Sequence, residues 1–319
     1  MNALQSTNPG LWLDGARRLR DVERRLTSLW ATKDYGEVMP PLVMPEEAAR
    51  AASPDALAAR TLRIPANGDG VLALRSDFTA SVAWMVSRRM AGLEAPLRIY
   101  YSGSVMRRPT PDRPEGLETL QAGCERISPE PGPEGDGEVA LLAAMSLAEL
   151  DVKGAVLEFG HWGLVGPLIE RIPWPAEGRQ GLEAALNRKS VSALDQLGDR
   201  YGRATEWSLL KDLVHLGGRP ESVEALKPRL AEAGVKDAWE ELLSLAALVG
   251  GEVPGVPVRL EPTDVRHWAY YTGLTVKAFA PGHPYSILSG GRYDSLYPSL
   301  GRSFGACGFA VQLGRLIEG

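Results

Sequence analysis

The stretch Leu97–Arg126, LRIYYSGSVMRRPTPDRPEGLETLQAGCER, concentrates side chains suited to holding a small charged molecule. Leu97, Ile99 and Tyr101 alternate with Arg98, Tyr100 and Ser102, and a second apolar run spans residues 120–127. Pro109, Pro111, Pro114 and Gly116 separate the runs, because proline lacks a ladder donor and both residue types favour turns. The pattern predicts a long antiparallel hairpin with Arg107 and Arg108 at the start of its loop. Side chains alternate with period two, so Gln121, Gly123 and Glu125 share one face of the returning strand. Guanidinium donors at the lip, with an amide and a carboxylate deeper, suit a zwitterion. Asp77, Thr79, Arg266, Tyr271, Tyr293 and Arg315 are further polar residues at predicted strand ends. This is the inventory for gripping an α-amino acid by its ammonium and its carboxylate.

Other chemistries find little support. No Ser-His-Asp or Cys-His arrangement can be drawn, and no Gly-rich loop of phosphate-binding spacing is present. Gly290-Gly291 is too short for a dinucleotide fingerprint and predicts a tight turn. His161 and His215 lack partners at ligand spacing, and His267 reads as packing or hydrogen bonding, so neither a metal nor another cofactor is expected. Cys124 and Cys307 are the only cysteines, which predicts no disulfide framework and a reducing cytoplasm. A net charge of -5 argues against broad nucleic-acid binding. The start, MNALQSTNPG, lacks the features of a signal peptide, and no apolar run is long enough for a bilayer; a cytoplasmic chain is the expectation.

The elements that must position these groups can be placed along the chain. Asp14 is a candidate cap for a helix whose apolar residues Ala16, Leu19, Val22, Leu26, Leu29 and Trp30 recur at helical spacing. Its arginines read as a solvated face, since Asp21 and Glu23 interrupt them. Residues 35–43 read as a turn and a short edge strand broken by prolines, and Pro45 opens another helix. Residues 71–75 predict a strand, followed by a helix to about residue 90. Asp77 sits at that strand-to-helix turn, where capping is the simpler role and facing a pocket the other. A helix follows over 138–150. Residues 160–255 carry amphipathic helices and predict an inserted helical subdomain with its own small core. Strands return at 256–260, 274–279, 285–288 and 305–311, the last entering a helix that carries Arg315. The division is therefore 1–159, 160–255 and 256–319, an α+β chain with a mostly antiparallel sheet flanked by helices.

In this order the motifs resemble the catalytic core of the histidyl-tRNA synthetase family, a class II aminoacyl-tRNA synthetase fold. Residues 35–42 resemble its dimer-forming first motif, 98–125 the second and 308–316 the third. Residues 266–273 resemble its histidine-specific Arg-Gly-Leu-Asp-Tyr-Tyr stretch, and Gly290-Gly291-Arg292-Tyr293-Asp294 its Gly-Gly-Arg-Tyr-Asp stretch. The resemblance implies that Asp77 and Thr79 meet the amino group of histidine, and that Gln121 and Glu125 contact the amino group and imidazole. It places Arg266 near the carboxylate, Tyr270, Tyr271 and Tyr293 in the pocket lining, and Arg107 at the pocket mouth.

The departures from that family matter as much. Its second motif reads Arg, any residue, Glu, Arg, whereas this chain has Arg107, Arg108, Pro109 and Thr110. Leu117 stands for a further loop arginine, Ala269 for the aspartate of the histidine stretch, and Gln312-Leu313-Gly314-Arg315 for Gly-Leu-Glu-Arg. Adenylyl chemistry needs positioned cations and metal ligands, so these losses argue against aminoacyl-adenylate formation. The chain also stops at the third motif, where an anticodon-binding domain is expected to be missing. In these respects it resembles the family of ATP phosphoribosyltransferase regulatory subunits. That resemblance implies no catalysis and no tRNA binding, a dimer within a hetero-oligomer, a short-form catalytic subunit as partner, and L-histidine as feedback effector in histidine biosynthesis. The alternatives are a truncated amino-acid-activating enzyme and a scaffold with a vestigial pocket.

Overall fold

The computed structural model describes residues 10–53, 55–66, 68, 70–110, 116–201, 205–216, 225–264 and 270–317. Arg266, His267 and Ala269 lie outside the described residues, as does the tip of the hairpin loop at 111–115.

The hairpin forms as its alternation demands: β5 (Leu97–Met106) pairs antiparallel with β6 (Glu118–Ser128). They lie in an eight-stranded sheet of order β1-β5-β6-β11-β10-β9-β7-β8. Its other members are β1 (Gly36–Glu37), β7 (Val156–His161), β8 (Val258–Leu260), β9 (Leu274–Phe279), β10 (Leu288–Arg292) and β11 (Gly305–Gln312). Only the outer pairs, β1 with β5 and β7 with β8, are parallel. A small second sheet has the order β2 (Val43–Pro45), β4 (Val71–Leu74), β3 (Arg63–Pro65).

The helices in chain order are α1 (Asp14–Ala31), α2 (Glu46–Ala51), α3 (Asp55–Ala58), α4 (Phe78–Arg89) and α5 (Asp136–Leu150). Six more are described in the predicted insertion: α6 (Trp162–Glu170), α7 (Ala176–Asn187), α8 (Val191–Tyr201), α9 (Thr205–Leu216), α10 (Lys227–Glu232) and α11 (Lys236–Glu252). The last is α12 (Leu313–Ile317). One face of the large sheet is covered by α1, α5 and, from the insertion, α11. Trp30, Leu147, Trp239 and Leu242 share a single apolar cluster there with Phe159, Val276 and Phe309. Among the described residues, α7, α8 and α9 pack on one another and on α6, and α11 joins them to α5 and to the sheet at β7 and β8, so their apolar residues run on into the cluster on this face. The opposite face carries a second cluster that includes Phe78, Ile99, Tyr101, Tyr293 and Tyr297.

Other expectations also need correction. Asp14 does not cap α1: Leu13 holds the cap position, and Asp14, the first helical residue, accepts from Arg17 at 2.7 Å. The strand expected at 285–288 begins at Leu288 and runs to Arg292. Gly290 and Gly291 lie inside it rather than in a turn. A Cβ on Gly290 would sit 2.1 Å from the Gly308 carbonyl oxygen, so only glycine permits the approach of β11.

Candidate functional site

Strand register brings the polar residues of three strands onto one face. Gly103, Gln121 and Gln312 lie side by side across β5, β6 and β11, as do Tyr101, Gly123 and Ala310, and Ile99, Glu125 and Gly308. This face forms the floor of a cavity of about 600 Å³. Asp77, Thr79, Arg107 and Gln121 line it, as do Tyr270, Tyr271 and Tyr293. Glu125 lies just beneath the floor, 2% exposed, with Thr79 and Tyr101 above it.

Glu125 Oε1 accepts from Thr79 Oγ1 at 2.9 Å and from Tyr101 OH at 3.0 Å. Among the described residues its buried Oε2 has no partner, and neither has the Tyr293 hydroxyl. Burial pushes the Glu125 carboxyl up to about 8, against the pull of its two hydrogen bonds and with a smaller push from Asp77. Asp77 is also raised by burial, opposed by the Ala80 amide and the charges of Arg107 and Arg75. Its Oδ1 accepts from Ala80 N at 3.0 Å, so Asp77 caps α4 and faces the cavity at once.

Tyr270 stacks on Tyr293 with ring centroids 5.4 Å apart and meets Tyr271 edge-on at 5.2 Å, forming an aromatic wall. Gln121 Nε2 donates to Gln312 Oε1 at 3.0 Å, which ties the second motif to the third at the cavity edge. Arg107 donates to the Ser76 carbonyl, and Arg315 to that of Ser286. The cavity thus brings a carboxyl, phenols and arginines together along one lining, with the Glu125 carboxyl beneath it. This inventory suits a ligand that carries both a cationic or hydrogen-donating group and an anionic one.

Sequence reasoning missed several lining residues. Lys277 reaches the cavity while donating to Asp264, and a single charge in the mostly apolar strand Leu274–Phe279 was the available signal. Arg60 joins the lining because the 60–61 segment pairs with 107–108: Arg108 N donates to Arg60 O at 2.8 Å, and Thr61 bridges Arg107. No local pattern announces that pairing.

A second polar cluster lies away from this cavity. Ligand-capable atoms of Asp136, His161 and Glu241 all fall within 4.8 Å of one another, from residues far apart in the chain. His161 Nδ1 accepts from Gly163 N at 3.0 Å, which leaves the ring proton on Nε2, 3.2 Å from Glu241 Oε2. A metal at Nε2 would need that proton gone and Nδ1 protonated against a donor. The Arg292 guanidinium already stands 3.6 Å from Asp136 and 3.9 Å from Glu241, so the cluster carries its own cation. It is an ionic joint between α11, α5 and β10. Among the described helices, none is long and apolar enough to cross a membrane.

The histidyl-tRNA synthetase family model matches residues 11–316. An ATP phosphoribosyltransferase regulatory subunit of Burkholderia ambifaria is 32% identical over 309 residues, covering 95% of this chain and 78% of that protein. Its counterpart in Pseudomonas aeruginosa is 30% identical, covering 95% and 77%. Among solved structures, an ATP phosphoribosyltransferase regulatory subunit/histidyl-tRNA synthetase from Bacillus halodurans superposes with a TM-score of 0.83. That pair is 24% identical and covers 98% of this chain and 81% of the other, a likeness of fold. The chain belongs to the histidyl-tRNA synthetase family, and ATP phosphoribosyltransferase regulatory subunits are its relatives along nearly its whole length.

Proposed function

We propose that this chain is the regulatory subunit of an ATP phosphoribosyltransferase, performs no chemistry of its own, and reads histidine in the cavity described above. The observation that carries the ligand assignment is the pairing of Glu125, with its Oε2 unpartnered among the described residues, to Thr79 and Tyr101 beside Asp77. An ammonium or an imidazole N–H set against Oε2 favours the ionised carboxylate that burial alone disfavours, and the arginines of the lining suit an α-carboxylate. Regulation requires that histidine bind one arrangement of the complex better than another, since equal affinity shifts nothing. A second copy of the chain is the proposed neighbour of the 38–43 segment, where Met39 is 88% exposed and Leu42 and Val43 are also open.

Mixing the chain with a short-form catalytic subunit tests this directly. Phosphoribosyltransferase activity appears on mixing and falls when histidine is added, while the chain alone shows no histidine-dependent ATP–pyrophosphate exchange. Robust exchange would establish the amino-acid-activating alternative instead, and activity indifferent to histidine would remove the sensor.

A further inference from the structure

A buried cation joins the exposed 38–43 segment to the carboxyl beneath the cavity floor. Arg75 is 7% exposed and follows β4. Its Nη1 donates to the Pro40 carbonyl at 2.7 Å, and Nε and Nη2 donate to the Ser104 carbonyl at 3.0 and 2.7 Å. The guanidinium lies 3.8 Å from the centre of the Phe78 ring. Phe78 in turn stacks on Tyr101 at 4.2 Å with ring planes 10° apart, and Tyr101 OH donates to Glu125. The backbone follows the same route: Arg75 N donates to Leu42 O at 2.8 Å, and Met106 N to Arg75 O at 2.7 Å.

We infer that Arg75 is a positioning residue that couples the packing of the 38–43 segment to the placement of Tyr101 and Glu125. The inference rests on the proposed reading of the cavity and of the second copy. Each layer touches the next, and the stack has little slack. A Cβ on Gly103, whose φ is +150°, would stand 3.3 Å from Arg75 Nη2 and 3.4 Å from Phe78 Cζ. Close-packed groups of this kind pass a displacement on rather than absorb it. The planar fork explains why the residue is arginine: it bonds two carbonyls from different segments while stacking on a ring, which an ammonium cannot do. Burial lowers the guanidinium to about 10, so it stays charged at neutral pH.

A double-mutant cycle on the full chain tests the coupling, with histidine affinity read by calorimetry. Met39→Glu places a charge on the exposed segment, and Arg75→Lys removes the fork. Each alone is expected to weaken histidine binding about fivefold to tenfold, and the double variant no more than Arg75→Lys alone. Losses that multiply, or a Met39→Glu variant with unchanged affinity, would overturn the coupling. Should Arg75→Lys fail to fold, Gly103→Ala presses on the same stack and replaces it in the cycle. Hydrogen exchange at residues 101–105 and 121–125 gives a readout without ligand. Met39→Glu is expected to lower protection there, and to do so far less in the Arg75→Lys background; equal loss in both backgrounds overturns the inference. A wild-type chain that binds no histidine would sink the proposed function, while the exchange data would still decide the role of Arg75.

Discussion

Glu125→Gln isolates the electrostatic cost stored beneath the cavity floor. Glutamine keeps an acceptor for Thr79 and Tyr101 and cannot ionise. The wild-type carboxyl is fully buried, and its pKa rises from the ordinary 4.5 to about 8, chiefly by desolvation. Because the folded value lies above the unfolded one, the stability of the neutral carboxyl is fully present below pH 4.5. It is lost as pH climbs towards 8, by about 1.4 kcal/mol per pH unit. Between pH 5.5 and 8.5 the wild type should therefore lose about 3 kcal/mol that the variant keeps. Over 319 residues that corresponds to roughly 5 °C in Tm. Thermal melts of both proteins at the two pH values measure it, and comparing the differences removes any constant effect of the amide. A Tm offset that stays the same at pH 5.5 and 8.5 would mean that Glu125 is ionised and solvated in the folded chain. The reasoning about the site would then fail.

Three further outcomes follow from the same geometry. Glu138 accepts from Tyr35 OH, Arg98 and Arg126 at 2.7–3.0 Å, and those contacts pull its pKa down against burial. Glu138→Ala should cost about 2–4 kcal/mol at pH 7 in denaturant unfolding, because Arg126 is left buried without its carboxylate. That stability is present above the ordinary carboxylate range and fades as pH falls, so a variant equally destabilised at pH 3 and pH 7 refutes the account. Gly308→Ala would set a Cβ 1.9 Å from Glu125 Oε2 and 2.3 Å from Cys124 O; the expected loss is about 3 kcal/mol or more, and an unchanged denaturation midpoint contradicts it. Gln121→Ala should weaken histidine binding about tenfold in calorimetry while leaving activation of the catalytic subunit intact. Equal loss of both would indicate a folding defect.

Local pattern made the hairpin legible, since two strand-like runs of ten and eleven residues flank one Pro- and Gly-rich turn. The period of two along a strand set Gln121 and Glu125 on the cavity side. It could not say that Thr79 and Tyr101 would lie over Glu125, because depth depends on contacts from other strands and helices. Gly290-Gly291 was misread for a related reason: the need for glycine comes from β11, which is distant in sequence. Helical stripes in residues 160–255 announced buried faces without naming what they bury against: α7, α8 and α9 meet one another and α6, while α11 meets α5 and the sheet. The partners of His161 were invisible because Asp136, Glu241 and Arg292 come from three separate elements.

The arginines and the buried carboxyl of the cavity answer different needs on the proposed reading. Stabilising a transferring phosphoryl group needs donors preorganised towards the charge as it develops, with few alternative partners. Arg107 and Arg315 each give a donor to a carbonyl of their own chain, and Gln312, where the synthetases carry glycine, fills the corner by accepting from Gln121. One committed donor does not exhaust a guanidinium, but it fixes the plane in which the remaining donors point. A sensor needs no such aim, only a difference in affinity between two arrangements of the complex. The buried carboxyl can provide that difference, since Glu125 is reached through Tyr101, Phe78 and Arg75 from a segment on the surface. Arginines already tied to carbonyls of their own chain above a retained buried carboxyl fit the proposed reading, in which recognition is kept and chemistry is not required.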